Sequence, residues 1–202
     1  MSVAVVKYNA GNIFSVLGAL RRLGCEPLLT DDERLLRAAD HVVFPGQGEA
    51  GTAMNYLREH RLDTVLRSLR QPVLGICIGQ QLLCRHSEEG DTDCLGIIDA
   101  DVRRFRPQRT EDKVPCMGWN EISFHAADAT EPCPLFAGLP GSYVYFVHSY
   151  YVPLCAATTA VADYIQPYSA ALRHDNFFAT QFHPEKSGSV GEKILRNFLN
   201  IK

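Results

Sequence analysis

The stretch Pro72-Val73-Leu74-Gly75-Ile76-Cys77-Ile78-Gly79-Gln80-Gln81-Leu82-Leu83 constrains the fold more tightly than any other part of the chain. An apolar run ends in Gly-x-Cys-x-Gly and passes at once into a helical pattern, the arrangement of a nucleophile elbow with cysteine in the place of serine. A turn that sharp leaves almost no room for side chains two positions before and after its centre, hence Gly75 and Gly79. It also puts Cys77 at a helix N-terminus, where unpaired N–H groups and the dipole favour a thiolate. The N–H of Ile78 is one of those groups and suits a developing oxyanion. A buried cysteine between packing glycines is the competing reading. A base elsewhere in the chain decides between them.

The 202 residues fit one domain, 1–202, large enough to bury its own core. A net charge of −3 gives no reason to expect nucleic acid or an acidic membrane as a partner. The seven cysteines are odd in number, show no C-x-x-C spacing and follow no signal peptide. That usage suits the reduced thiols of a cytoplasmic protein better than a disulfide framework or a zinc site. No apolar run approaches the length of a membrane span.

Val3 to Lys7 reads as a buried strand and Tyr8-Asn9-Ala10-Gly11-Asn12 as a turn, with Asn12 capping a helix whose apolar face is Ile13, Val16, Leu17 and Leu20. A short strand over Glu26 to Leu29 precedes Thr30-Asp31-Asp32, which caps a second helix. A third strand, His41 to Phe44, runs into Pro45-Gly46-Gln47-Gly48. Helical patterns then continue through Leu66 to the Pro72 strand. Alternating strands and helices indicate an α/β fold with a mostly parallel central sheet, helices on both faces and the ligand outside the carboxyl ends of the strands. The turns after Val6, Phe44 and Ile76 should line that site. From Leu95 to Ala179 strands and turns dominate: Ile97-Ile98, Val102 to Phe105, Trp119 to Phe124, Tyr143 to Val147 and Thr159 to Tyr164. Ala170 to Leu172 and Phe177 to Phe182 flank a hairpin turn at His174-Asp175-Asn176. A last helix starts near Ser187 or Ser189 and buries Val190, Ile194, Leu195 and Phe198.

Thr180-Gln181-Phe182-His183-Pro184-Glu185 supplies the base: a strand ends at a histidine, and a carboxylate follows two residues later. A thiol nucleophile needs an imidazole to take its proton, and a carboxylate on the other ring nitrogen fixes the tautomer. Cys77, His183 and Glu185 fit those three roles. His148, in Phe146-Val147-His148-Ser149-Tyr150-Tyr151, is the one rival base set in a motif, with a satisfied structural histidine as the alternative. Pro45-Gly46-Gln47-Gly48 reads equally as a second oxyanion donor or as a plain glycine-rich turn. The basic run Arg103 to Arg109 reads as a solvated loop, or less readily as a docking surface for an acidic partner.

Together these motifs resemble the class I (triad) glutamine amidotransferases. Gly75-Ile76-Cys77-Ile78-Gly79-Gln80-Gln81 matches the family's nucleophile motif and His183-Pro184-Glu185 its His-x-Glu motif, and the likeness covers the whole chain. Tyr8 to Asn12, Lys113 to Asn120, Phe146 to Tyr151 and His183 to Gly188 are most similar to members that pass ammonia to a separate (β/α)8-barrel cyclase subunit as a heterodimer. A glutaminase serving anthranilate, pyridoxal phosphate or purine synthesis is the alternative. The resemblance implies that Cys77 attacks the side-chain amide of glutamine, His183 protonates the departing ammonia and water hydrolyses the thioester. It places Gly46, Gly48, Gln81, Ser149 and Tyr150 around glutamine, Gln47 and Ile78 at the oxyanion hole, and Asn12, Trp119 and Tyr145 against the partner. It implies no metal or organic cofactor. Two departures stand out: Gln47, where the family's oxyanion strand carries a small apolar residue, and Cys116, where a histidine is usual.

Overall fold

The computed structural model describes residues 1–8, 13–46, 48–124 and 133–202. Residue alternation along β1 (Val3–Val6) sets the layering. Val3 and Val5 enter a core shared with Val16, Leu17 and Leu20 of α1 (Ile13–Arg22), and Ala4 and Val6 enter the core on the opposite face. Helix α1 ends at Gly24, whose φ of +84° turns the chain back. After β2 (Leu28–Thr30), the Asp32 carboxylate accepts from the N–H groups of Arg34 (2.8 Å) and Leu35 (3.3 Å) and so starts α2 (Glu33–Ala38). Then come β3 (His41–Phe44), α3 (Ala50–Glu59), α4 (Leu62–Arg67), β4 (Val73–Ile76) and α5 (Ile78–Leu83). Leu36, Met54, Leu57, Leu62, Val65 and Leu82 from α2 to α5 pack on the Ala4 face.

The second half supplies β5 (His86–Ser87), β6 (Thr92–Asp93), β7 (Asp101–Arg104), β8 (Cys116–Phe124), β9 (Ser142–His148), β10 (Tyr150–Tyr151), β11 (Thr158–Asp163), β12 (Pro167–His174), β13 (Phe177–Thr180) and α6 (Gly188–Leu199). Nine strands form one sheet in the order β2-β1-β3-β4-β13-β12-β11-β8-β9. The pairings from β2 to β13 are parallel, and those from β13 to β9 antiparallel. The β-rich second half therefore continues the parallel sheet, and β13 is the strand that belongs to both halves. A small second sheet, β10-β7-β5-β6, lies beyond α5. Its two-residue strands carry too little pattern to be read from sequence.

Several local expectations change. Ile97-Ile98 is not a strand: both N–H groups donate to the Leu83 carbonyl, at 3.0 and 2.9 Å, and so fold onto the open end of α5. Strand β13 stops at Thr180, short of Phe182. Val190 is only half-buried, packed against the outside of the core. Of the Arg103–Arg109 run, Arg103 and Arg104 lie on β7 and not in a loop. Arg103 pairs with Glu88 at 3.1 Å, and Arg109 pairs with Asp112 at 3.2 Å. The Asn12 cap and Gln47 lie outside the described residues. Among those described, no helix is long and apolar enough to cross a membrane.

Candidate active site

Cys77 sits between β4 and α5 with φ +55° and ψ −108°. For a residue with a Cβ that backbone costs on the order of 1–3 kcal/mol, and it persists because the surroundings leave no alternative. The Cys77 N–H donates to the Thr180 carbonyl of β13 at 2.7 Å. A Cβ on Gly79 would strike the Phe44 carbonyl oxygen, and one on Gly75 would come within 2.9 Å of the Gly79 carbonyl and of Leu83. Both glycines of the motif are thus required by the close packing of α5 on the ends of β3 and β4.

His183 follows two residues after Gln181 leaves the sheet. Its N–H donates to the Tyr145 carbonyl at 2.9 Å, and its carbonyl accepts from the Ser187 hydroxyl at 2.7 Å. That hydroxyl oxygen also accepts from the Tyr145 N–H at 3.0 Å, so Ser187 ties the histidine turn to β9. The imidazole Nδ1 meets Glu185 Oε1 at 2.8 Å, with both side chains almost wholly buried. A carboxylate accepts, so Nδ1 carries the proton and Nε2 the lone pair in the neutral ring. Nε2 has no hydrogen-bond partner among the described residues. Burial alone would pull this imidazole down. The Cys77 thiolate and the Glu185 carboxylate outweigh it and push the ring up to about 10.

A cavity of about 440 Å³ opens over Cys77. Gly48, Cys77, Ile78, Gln81, Ser149 and Tyr150 lie on its wall, which brings together residues from three separate stretches of the sequence. Gly46 is buried behind it, where a Cβ would collide with Ile78 and the Tyr8 hydroxyl; that hydroxyl donates to the Pro45 carbonyl at 2.6 Å. Tyr145 reaches the cavity rim, and its ring meets Trp119 edge-on at 6.2 Å.

Three lining residues were missed by the sequence reading. Glu89 brings a carboxylate that burial pushes up and that accepts from the Ala50 N–H at 2.8 Å. Lys186 brings an ammonium 5.9 Å from the centre of the Tyr145 ring. Pro115 closes one wall. Lys186 had a cue in its place directly after His183-Pro184-Glu185, and Pro115 in the Lys113 to Asn120 motif; Glu89 had none. Among the described residues no group of three or more histidine, cysteine or acidic side chains is placed to hold a metal ion.

His148 is the satisfied structural histidine, not a base. Nδ1 donates to the Tyr150 carbonyl at 2.7 Å, and Nε2 accepts from the Tyr168 hydroxyl at 3.3 Å. Burial pulls it down to about 4, against the lift from the Tyr150 carbonyl and with the help of the charge on His183. Cys116 stands opposite His148 in the β8–β9 register, and burial pushes its thiol up to about 11, so it contributes packing and no charge.

The pattern of the family described as glutamine amidotransferase class-I matches residues 5–201. The chain belongs to that family. As a class-I glutamine amidotransferase it is 60% identical to the imidazole glycerol phosphate synthase subunit HisH of Bacteroides thetaiotaomicron, over the full length of both. It is 44% identical to the protein of the same name from Idiomarina loihiensis, over all of this chain and 98% of that one. Among solved structures, a glutamine amidotransferase superposes with a TM-score of 0.73 at 21% identity, covering 98% of this chain and 97% of the other. The glutaminase domain of Trypanosoma brucei CTPS with bound acivicin superposes at 0.65 and 17% identity, covering 100% and 95%. At such identities the structural likeness speaks for the fold alone.

Proposed function

We infer that this chain is the glutaminase subunit of an imidazole glycerol phosphate synthase, with residues 1–202 acting as one glutaminase domain. The observation that carries the chemistry is Cys77 at a strained elbow beside an imidazole whose Nδ1 is held by Glu185 and whose Nε2 is open. The pathway follows from relatives that bear that name along the whole chain.

In this reading glutamine lies in the cavity with its side-chain amide at Cys77. The Cys77 thiol passes its proton to His183 Nε2, the sulfur attacks the amide carbon, and the carbonyl electrons move to oxygen, with the Ile78 N–H as donor and Gln47 as the proposed second donor. The tetrahedral adduct collapses to a glutamyl thioester and expels ammonia, which takes its proton from His183 Nε2. His183 then removes a proton from water, the hydroxide attacks the thioester and Cys77 leaves with glutamate released. Glu185 holds the ring in one tautomer throughout. Glu89 is the wall carboxylate suited to the α-ammonium of glutamine. Gln81, Ser149 and Tyr150 border the amino-acid end, and Gly46 and Gly48 border the oxyanion.

Ammonia then passes to a (β/α)8-barrel cyclase subunit docked over the cavity mouth as a heterodimer. Register supports that surface: Met117 and Trp119 of β8 and Tyr143 and Tyr145 of β9 share one face, while Ile122, Val144 and Phe146 fill the core on the other. Met117, Trp119 and Tyr143 are 64%, 57% and 59% exposed beside the cavity, an apolar patch at the site that ammonia must leave.

The test is glutamate release from glutamine by the purified chain, alone and with the cyclase subunit and its nucleotide ligand. Strong stimulation by both is expected, with Cys77→Ala silent at every combination. Equal activity without the partner would remove the coupling, and an active Cys77→Ala would remove the nucleophile.

A further inference from the structure

Gln181 leaves the sheet just after β13 and is completely buried. Its Nε2 donates to the Cys77 sulfur at 3.8 Å, and its Oε1 accepts from Gln81 Nε2 at 3.0 Å. Gln81 Nε2 gives its other hydrogen to the Tyr150 carbonyl, also at 3.0 Å. The direction of these bonds is not arbitrary. A backbone carbonyl only accepts, so Tyr150 obliges Gln81 to turn its nitrogen inward. That nitrogen only donates, so Gln181 must turn its oxygen toward Gln81 and its own nitrogen toward the sulfur. Side-chain amides are otherwise free to flip, and here one main-chain oxygen sets the polarity of both. His148 Nδ1 occupies the remaining lone pair of that oxygen at 2.7 Å and holds it in place.

We propose that Gln181 stabilises the Cys77 thiolate by keeping an N–H donor on its sulfur, and that Gln81 and the Tyr150 carbonyl fix the orientation of that donor. The protonated sulfur has a different partner, the Val147 carbonyl, to which it donates at 3.9 Å. Thiol and thiolate are thus each matched, one by an acceptor and one by a donor, and the bond to the charged form is the stronger of the two. Gln81 gains a double role: its nitrogen is spent on this relay, and its oxygen remains for the bound amino acid. The inference rests on Cys77 being the nucleophile of the proposed reaction.

The pH dependence of Cys77 alkylation tests it without glutamine turnover, so failure here is separable from failure of the proposed function. The full chain is treated with iodoacetamide across a pH series, and the Cys77 peptide is followed by mass spectrometry to exclude the other cysteines. In Gln181→Met the apparent pKa of Cys77 should rise by about one unit, which is about a tenfold slower reaction on the acidic limb. Gln81→Met leaves Gln181 in place but frees its amide to turn, and should raise the pKa by a smaller amount. A role confined to packing would change the unfolding midpoint and leave both profiles on that of the wild type, and that result overturns the proposal. If Gln181→Met does not fold, the Gln81→Met profile decides alone.

Discussion

Two buried histidines stand at neighbouring places in this molecule and are driven in opposite directions. His183 is 1% exposed and His148 is 5% exposed, so burial does not distinguish them. His183 has the Cys77 sulfur beside it and the Glu185 carboxylate on Nδ1, and rises to about 10. His148 has a neutral carbonyl on Nδ1 and a hydroxyl on Nε2, and falls to about 4. Burial penalises the charged ring in both; only a partner of opposite charge reverses the outcome. The first ring is arranged to exchange protons, and the second is arranged not to.

The strongest way to break this contrast is Glu185→Gln. The amide oxygen still accepts from Nδ1, but the charge is gone. Partner-stimulated glutamate release should fall by roughly 10³–10⁴-fold, as in other triads whose orienting carboxylate becomes an amide. The His183 pKa, read by NMR titration, should drop with it. A loss of less than about tenfold would mean that Glu185 does not orient the ring.

The second test uses pH. The folded pKa of His148 lies below the ordinary 6.5, so between 6.5 and about 4 the folded state binds fewer protons than the unfolded chain. The stability tied to neutral His148 is complete above pH 6.5 and is lost as pH falls toward 4, by about 3 kcal/mol. For His183 the sign reverses: its contribution is complete below about 6.5 and is lost as pH rises toward 10. Urea unfolding across pH should show the acid loss in the wild type and a flatter acid limb in His148→Gln. An identical slope in both would place the acid sensitivity elsewhere.

The smallest expected effect comes from Tyr168→Phe, which removes the hydroxyl at His148 Nε2. A stability loss of about 1 kcal/mol is expected. The acid transition should move to higher pH, because the neutral ring loses a donor, and glutamate release should stay near the wild-type value. A large loss of activity would give His148 a part in the chemistry.

What could be read from the sequence follows from how locally each feature is encoded. The elbow and the His183–Glu185 pair are contiguous motifs, and their spacing alone specifies the turn and the hydrogen bond. The parallel half was legible for the same reason, through Val3 to Val6 and the Asp32 cap. Glu89 and Gln181 were not, since each acquires meaning only from residues far along the chain: Glu89 from the cavity wall, Gln181 from Cys77 and Gln81. The fate of His148 was left open because Phe146-Val147-His148 does not reveal that Tyr168 lies behind it. Ile97-Ile98 misled because β-branched residues suit a strand, while their N–H groups were claimed by the end of a helix.

Strand β13 lies parallel to β4 in register, Ala179 beside Gly75 and Thr180 beside Ile76, and a direct bond joins Cys77 to Thr180. Cys77 and the segment leading to His183 therefore leave adjacent strands of one ladder. Their separation is referred to the interstrand spacing of a sheet, about 4.8 Å, which is among the stiffest lengths a protein possesses. The sheet acts as a ruler for the proposed proton transfer. A docking subunit that changes the rate would find this distance hard to stretch. Its leverage would fall on other residues of the cavity wall, Gly48 and the Ser149–Tyr150 step.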